Sequence, residues 1–172
     1  MGPVNHETPL VRVGFGYDVH ALAPDRALIL GGVHVPFPAG LAGHSDADVL
    51  IHAVMDAIVG ALGLGDIGRH FPDSDPALEG ISSLILLDEV HDMLMQQGWC
   101  INNLDATVVA ERPKLAPFVP EMRERIARTL QTPAECINIK ATTTEGLGFC
   151  GRGEGIAAYA IVSLRPVGAG TP

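Results

Sequence analysis

The order of strand-like and helix-like segments limits most strongly what this chain can fold into. Two strand-like segments come first, two helical segments follow, and a strand, a helix and two further strands complete the order. Strict alternation of strands and helices builds a parallel sheet, whereas a mixed order is typical of α+β folds. The order therefore predicts an α+β domain whose helices pack on one face of a sheet.

One helical segment is bounded by clear end signals. Ser45, followed three residues later by Asp48, is typical of a capping box and predicts a helix start at this point. The apolar run over residues 49–62 continues the helix, and Gly63 predicts its end. A second helix is expected to begin at Ser82 or Ser83, by the same reasoning.

The N-terminal strands carry two local patterns. Between residues 10 and 17, β-prone residues alternate with others, so every second side chain shares one face: Val11, Val13, Phe15 and Tyr17. Further on, the pair Gly31-Gly32 separates two short β-prone runs. This arrangement predicts one strand that is bent or bulged at the glycines.

Length and charge exclude several classes of protein. The 172 residues suffice for one domain, so we expect a single catalytic domain over residues 11–166 between two tails, 1–10 and 167–172. The net charge of −9 gives no overall attraction to nucleic acid or to an anionic membrane. No apolar run reaches the ~18 residues of a membrane span. Neither nucleic acid nor a membrane is therefore expected as a partner.

The cysteines and the N-terminal residues bear on location. The three cysteines contain no CxxC pair, which is typical of reduced thiols in the cytosol. The first ten residues lack the basic and apolar pattern of a signal peptide. We therefore expect a cytoplasmic location.

Two short motifs contain residues that can bind a metal ion. Asp18 and His20 are two residues apart in an extended segment, so their side chains point to the same side and can share one metal. His52, within the first predicted helix, would complete a three-ligand set suited to zinc. Each motif alone also fits a plain structural role, as polar residues at a strand end or as a core histidine. The spacing does not determine whether the helix faces that strand end.

Two further segments suit a phosphorylated ligand. His44-Ser45 precedes a helix, whose free N–H groups attract anions, although Ser45 can simply be the cap. The segment from Lys140 to Glu145 combines three threonines with a carboxylate, and a glycine-rich turn with Arg152 follows. Hydroxyls, a carboxylate and glycines suit a polyphosphate with a hard cation. A threonine-rich strand edge followed by a hairpin explains the same residues without a ligand.

One apparent nucleotide motif is rejected. Residues 63–68 match the spacing GxGxxG. The dinucleotide fingerprint needs a strand before it and a helix after it. Here a predicted helix precedes the glycines and no helix is expected after them, so we interpret the segment as a turn.

The motifs together resemble one enzyme family. GYDVH, GGV, HSDADVLIHA, GDIGRHFPDSDP, ERPKLAP and KATTTEGLGFCGRGEGIA occur in this order between about Arg12 and Leu164. Each is short, but their combination over nearly the whole chain is specific. The sequence resembles the 2-C-methyl-D-erythritol 2,4-cyclodiphosphate synthases of the non-mevalonate isoprenoid pathway.

The resemblance implies a fold, an assembly and a reaction. Each subunit is expected to contain a mixed sheet, and three subunits form a homotrimer with the sheets inward and active sites between adjacent subunits. The expected substrate is 4-diphosphocytidyl-2-C-methyl-D-erythritol 2-phosphate, a cytidine diphosphate derivative. Its 2-phosphate attacks the β-phosphorus and expels CMP, which makes the enzyme a phosphorus–oxygen lyase.

The resemblance also implies cofactors and catalytic residues. Asp18, His20 and His52 match the ligands of one zinc ion per subunit. Glu145 matches a residue that helps to hold a second divalent ion, magnesium or manganese, between the phosphates. His44 and Thr143 match positions that stabilise the transition state.

The remaining assignments concern substrate contacts. Those on the methylerythritol side are Ser45, Asp66, Ile67, Gly68, Phe71, Pro72, Asp73, Ser74 and Asp75. The expected substrate contacts also include Asp18, Val19, His20 and His44. Those on the cytidine and diphosphate side, from the neighbouring subunit, are Ala110, Glu111, Arg112, Pro113, Lys114, Leu115, Ala116, Thr142, Thr143, Thr144 and Glu145. Two more, near the three-fold axis, are Phe149 and Arg152.

Three alternatives remain open from the sequence. A zinc phosphohydrolase would use the same metal with water and give a linear phosphate product. A trimeric binding protein would hold isoprenoid diphosphates in a cavity on the three-fold axis, whose lining in the family matches Phe149, Arg152 and Glu154. A purely structural α+β domain would explain any one motif, but not all of them in order.

Overall fold

The computed structural model describes residues 11–168. The expected N-terminal tail, 1–10, and residues 169–172 of the expected C-terminal tail lie outside the described residues. The strands are β1 Arg12–Pro24, β2 Leu28–Leu30, β3 Val33–Val35, β4 Ala39–Leu41, β5 Trp99–Val109, β6 Ile137–Thr142 and β7 Gly155–Pro166. The helices are α1 Val49–Leu62, α2 Ile67–His70, α3 Ser83–Gln96, α4 Val119–Thr129 and α5 Gly148–Gly151.

Five of the strands form a mixed sheet in the order β4-β1-β7-β5-β6. Strands β5 and β6 are parallel, because α4 crosses between them, and the other neighbours are antiparallel. Strands β2 and β3 form a separate two-stranded sheet. The predicted α+β class with a mixed sheet is confirmed.

Two glycines in β1 allow α1 to lie directly on the sheet. A Cβ atom at Gly16 would lie 2.0 Å from the carbonyl oxygen of Ala53, and one at Gly14 would lie 1.9 Å from that of Ala57. Only a residue without a side chain permits this approach of helix to strand. The alternation of β1 then directs Asp18 toward the same, helix-covered face.

The opposite face of the sheet is apolar and exposed. Phe15 is 61% exposed, and its partner in β7, Ile161, is 51% exposed. Tyr17 and Tyr159 pair beside them, with ring centroids 4.9 Å apart. The alternating face predicted for residues 11–17 is therefore real, but it is turned away from the core of its own chain.

Two local predictions are wrong. The Gly31-Gly32 pair does not bend one strand; both residues have positive φ (58° and 73°) and form the two-residue turn of the β2–β3 hairpin. Ser45 is not the helix cap, because Asp48 occupies that position and accepts from the backbone N–H of Ile51 at 3.1 Å. The fully buried Asp48 carboxylate also accepts from both turn glycines, which joins the hairpin to the start of α1.

The segment after α1 has more structure than a turn. It contains the short helix α2, which begins at Asp66 as cap residue, and a 3-10 turn at Pro76–Leu78. Helix α2 begins at Ile67, within the GxGxxG glycines, and ends at His70, so the segment is more than the expected turn, although residues 69–73 open no helix. The dinucleotide interpretation still fails, because a helix rather than a strand precedes them.

Helix lengths are also relevant to membrane insertion. Among residues 11–168, no helix is long and apolar enough to cross a membrane.

Candidate active site

The middle of β1, with Asp18 and His20, and the beginning of α1, with His52, bring three potential metal ligands together. Asp18 Oδ2 lies 2.9 Å from His20 Nε2 and 3.0 Å from His52 Nδ1. The two ring nitrogens are 3.2 Å apart. His52 reaches this point because α1 lies directly on β1. Within residues 11–168, these side chains form the one cluster of at least three His, Cys, Asp or Glu residues with metal-ligand spacing.

The separations fit a tetrahedral metal ion. Ligands held about 2 Å from zinc at tetrahedral angles are about 3.3 Å apart, close to the observed distances. The ring of His20 is oriented for this role, because its Nδ1–H donates to the carbonyl oxygen of Ala42 at 2.5 Å. Its Nε2 lone pair is then free to bind a metal. One carboxylate and two imidazoles suit zinc, and leave its fourth position for a ligand.

The electrostatics of the cluster follow from its packing. Burial alone would raise the pKa of Asp18, but hydrogen bonds and attraction from His20 and His52 outweigh it and lower that pKa well below its usual range. Burial tends to lower the pKa of His20, but its bonds to Asp18 and Ala42 outweigh burial and raise it. Asp18 therefore stays ionised and available as a metal ligand at neutral pH.

A cavity of about 230 Å³ opens directly beside the three ligands. His44 lines it, together with part of the set assigned to the methylerythritol side, namely Ser45, Ile67, Gly68, Phe71 and Asp73. Asp66, Pro72, Ser74 and Asp75 belong to the same loop but do not line the cavity. Val19 lies on the opposite, exposed face of β1.

Hydrogen bonds tie the loop that lines this cavity to α1 and to the segment that precedes α1. The backbone N–H of Ile67 donates to Asp56 Oδ1 at 2.8 Å. Burial is the main cause that raises the pKa of Asp56 above its usual value. His44 Nε2 lies 3.0 Å from the carbonyl oxygen of Asp75, to which it can donate. These contacts hold both sides of the cavity in place.

Most of the residues assigned to the cytidine side, though not Arg112, Thr144 or Glu145, line a different cavity. It measures about 380 Å³, and its lining residues are Ala110, Glu111, Pro113, Lys114, Leu115, Ala116, Ala141, Thr142 and Thr143. None of them lines the cavity beside the three metal ligands. At its rim, Thr143 Oγ1 donates to Glu145 Oε1 at 2.6 Å. One chain therefore does not bring the two halves of the expected site together.

A third group lies near the glycine-rich turn. Arg152 forms an ion pair with Glu154 at 2.8 Å and lines a cavity of about 250 Å³ with Arg112. Phe149 is partly exposed on the adjacent helix α5. Thr144 Oγ1 donates to the carbonyl oxygen of Leu147, which closes the turn before that helix.

Comparison with known proteins decides the family. Residues 11–165, most of the chain, match the YgbB family. The chain belongs to the YgbB family. A relative from Desulforamulus reducens, named 2-C-methyl-D-erythritol 2,4-cyclodiphosphate synthase, is 62% identical over 155 residues, covering 90% of this chain and 99% of that protein. A relative of the same name from Geotalea uraniireducens is also 62% identical over 155 residues, with the same coverage. The resemblance inferred from the motifs is thereby confirmed.

Solved structures of YgbB-like proteins have the same fold. The bifunctional IspDF of Campylobacter jejuni matches with a TM-score of 0.88 and 44% identity, over 91% of this chain and 42% of that one. A CDP complex of IspF from Plasmodium falciparum matches with a TM-score of 0.81 and 31% identity, over 91% and 97% of the two chains.

Sequence reasoning missed three residues around the metal cluster of this YgbB-family chain. Asp56 lies one helical turn after His52, a spacing that could have indicated a shared face. Asp46 lies within the HSDADVLIHA motif, but its role depends on a contact with Ser83. Nothing local to Ser83 indicates this contact, because the two residues are 37 positions apart in the sequence.

Proposed function

We propose that this chain converts 4-diphosphocytidyl-2-C-methyl-D-erythritol 2-phosphate to 2-C-methyl-D-erythritol 2,4-cyclodiphosphate and CMP. This is a phosphorus–oxygen lyase reaction of non-mevalonate isoprenoid precursor synthesis. The observation that carries the proposal is the 62% identity, over 90% of the chain, to a relative named for this product. The convergence of Asp18, His20 and His52 supports it independently, since the reaction needs cationic help.

The proposed cofactors are one zinc ion per subunit and a second divalent ion. Asp18, His20 and His52 would hold the zinc, which supplies Lewis-acid stabilisation of a phosphate oxygen when bound. Glu145, exposed beside Thr143, would help to hold magnesium or manganese against the diphosphate. Carboxylates combined with substrate phosphates are the usual magnesium ligands, which supports the choice of Glu145.

The chain's own residues then have to bring two anions together. The attacking 2-phosphate is largely dianionic at neutral pH, since its second pKa is ~6, so no general base is required. Folding the substrate so that its ends meet supplies much of the rate. We assign His44 and Thr143 to stabilising the charge that develops on the transferred phosphate. The residues lining the cavity beside the metal ligands would orient the methylerythritol phosphate.

We further propose that the complete site forms between subunits of a homotrimer. The separation of the metal-side and cytidine-side cavities within one chain supports this arrangement. The exposed apolar sheet face supplies a surface that subunits can bury. The CDP complex of the Plasmodium falciparum relative supports a cytidine nucleotide as the ligand of residues 110–116 and 142–145.

Two expectations remain predictions. An isoprenoid diphosphate could occupy a three-fold cavity lined by Phe149, Arg152 and Glu154; in one chain the last two form an exposed ion pair. The cytoplasmic location stays a prediction from the cysteines.

Phosphorus NMR of the purified protein with its substrate tests the reaction. With zinc and magnesium present, we expect a cyclic diphosphate and CMP, and a chelator should abolish both. A linear phosphate that incorporates solvent oxygen would instead support the zinc phosphohydrolase. No turnover with zinc bound would favour the binding-protein alternative.

Replacing His52 tests the metal assignment. We expect His52→Ala to lose bound zinc and nearly all turnover, because two ligands hold zinc far more weakly than three. Elemental analysis and the phosphorus NMR assay measure the two effects. His34→Ala is the matched control, since His34 is an exposed histidine on β3. Retained zinc and turnover in His52→Ala would refute the assignment.

A further inference from the structure

The side of His52 that faces away from the metal cluster makes a second set of contacts. Its Nε2 lies 3.0 Å from Ser83 Oγ, at the start of α3. Ser83 is fully buried. Ser83 Oγ in turn lies 2.5 Å from Asp46 Oδ1, and the Ser83 backbone N–H donates to Asp46 Oδ2 at 3.0 Å. His52, Ser83 and Asp46 thus form a continuous chain of hydrogen bonds, which we call the His52 relay.

The direction of the hydrogen bonds in this relay is determined by the single proton of the serine. A hydroxyl has one proton to donate, and the Asp46 carboxylate can only accept. The short contact to a charged acceptor therefore takes the Ser83 proton. Ser83 Oγ can then only accept from His52, so the ring proton lies on Nε2. The lone pair of His52 is consequently on Nδ1, the atom 3.0 Å from Asp18 in the metal cluster.

Ser45 contacts the same ring nitrogen but does not determine the tautomer. Its Oγ lies 3.2 Å from His52 Nε2 and accepts from the backbone N–H of Ala47 at 3.1 Å. The Ser45 hydroxyl remains free to rotate, so it can donate to Nε2 or accept from it. The relay through Ser83 and Asp46 is therefore the contact that selects the tautomer.

We propose that Ser83 and Asp46 are positioning residues that fix His52 as its Nε2–H tautomer and so direct the Nδ1 lone pair to the metal. The inference rests on the proposed zinc site and extends it beyond the three ligands. Partners of this kind orient metal-binding histidines, and their loss typically weakens metal affinity about 10- to 100-fold.

Two measurements on Ser83→Ala test the relay. Nitrogen-15 NMR of the metal-free protein reports the His52 tautomer, and we expect Nε2–H in the parent chain and a tautomer mixture in the variant. Competition with a chromogenic chelator reports zinc affinity, and we expect a loss of about 10- to 100-fold. Ser82→Ala is the matched control, because Ser82 precedes the same helix and makes no side-chain capping bond. It should change neither measurement.

A second variant covers the case in which Ser83→Ala does not fold. Asp46→Asn keeps the Ser83 hydroxyl, but only one of the two Asp46 acceptor oxygens remains to receive from the Ser83 hydroxyl and backbone N–H. We therefore expect a smaller loss of zinc affinity in the same direction. An Nδ1–H tautomer in the metal-free parent chain would overturn the proposal. The proposal would also be overturned if both variants had the same zinc affinity and the same His52 tautomer as the parent chain. If the parent chain binds no zinc, the proposed zinc site is refuted instead. The His52 tautomer in the metal-free protein still tests the relay in that case.

Discussion

Asp56 connects the metal ligand on α1 with the loop that covers the cavity. It lies one turn after His52, and its carboxylate accepts from the backbone N–H of Ile67 at 2.8 Å. Ile67 and Gly68 line the cavity beside the metal ligands. The Asp56 side chain therefore sets where this loop lies without belonging to the metal cluster.

Replacing Asp56 should weaken substrate binding without removing the metal. In Asp56→Ala the N–H of Ile67 loses its acceptor, which costs roughly 1–3 kcal/mol if it stays buried. We expect KM to rise about ten-fold, kcat to fall less, and zinc content to stay at the parent value. Steady-state kinetics and elemental analysis measure these effects. Asp56→Asn is the control, because its amide oxygen can still accept from Ile67. Loss of zinc in Asp56→Ala would contradict this separation of roles.

The contact between α1 and β1 is the element-scale feature that creates the site. Backbone meets backbone at Gly16 and Ala53, so the helix cannot move away from the strand to accommodate a larger residue without shifting its whole length. Because His52 precedes Ala53, its distance to Asp18 depends on this contact. The packing of α1 on β1 therefore sets the distance between the candidate ligands His52 and Asp18.

A pair of glycine substitutions tests this packing. In Gly16→Ala the added methyl would lie 2.0 Å from the carbonyl oxygen of Ala53, so we expect a loss of unfolding free energy of about 1–3 kcal/mol. Gly60 lies near the end of the same helix, and a Cβ there would approach nothing closer than 3.9 Å. Gly60→Ala should stabilise the chain by ~0.5–1 kcal/mol, because alanine favours a helix. Denaturant unfolding measures both, and equal stability of the two variants would refute the close contact.

The predictions that succeeded at this scale rest on short-range signals. The extent of α1 follows from a continuous apolar run and a terminal glycine, and the common face of Asp18 and His20 follows from strand alternation. The capping prediction failed because Ser45 and Asp48 are both good cap residues, and tertiary contacts of Asp48 with the β2–β3 turn decide between them.

Contacts between distant elements could not be predicted from sequence patterns. The approach of His52 to Asp18 joins residues 34 positions apart, and it depends on how closely α1 packs on the sheet. The relay to Ser83 spans 31 positions and has no periodic pattern at all. Residue types and the motif resemblance pointed to Asp18, His20 and His52 as candidate ligands, whereas the physical reason that they meet required the fold.

The two faces of the sheet have different roles in the whole molecule. One is covered by α1, and its side chains form the core. The other presents Phe15, Tyr17, Tyr159 and Ile161, which no helix of residues 11–168 covers. A contiguous exposed group of large apolar side chains is typical of an interaction surface. If neighbouring subunits share the active site, as proposed above, assembly through this face couples the oligomer to activity.

Charging this face should therefore remove both assembly and turnover. We expect the parent chain to sediment as a trimer, and Ile161→Asp to sediment as a monomer, because three carboxylates would be buried against apolar partners at the interface. Turnover should fall with the trimer, since the cytidine-side residues would come from the neighbouring subunit. The matched control is Ile85→Asp. Ile85 is 53% exposed, close to the 51% of Ile161, but it lies on helix α3 rather than on the exposed face of the sheet. Analytical ultracentrifugation and the phosphorus NMR assay report the two effects. An Ile161→Asp trimer with parental turnover would exclude this face as the interface, whereas an active monomer would exclude a site shared between subunits.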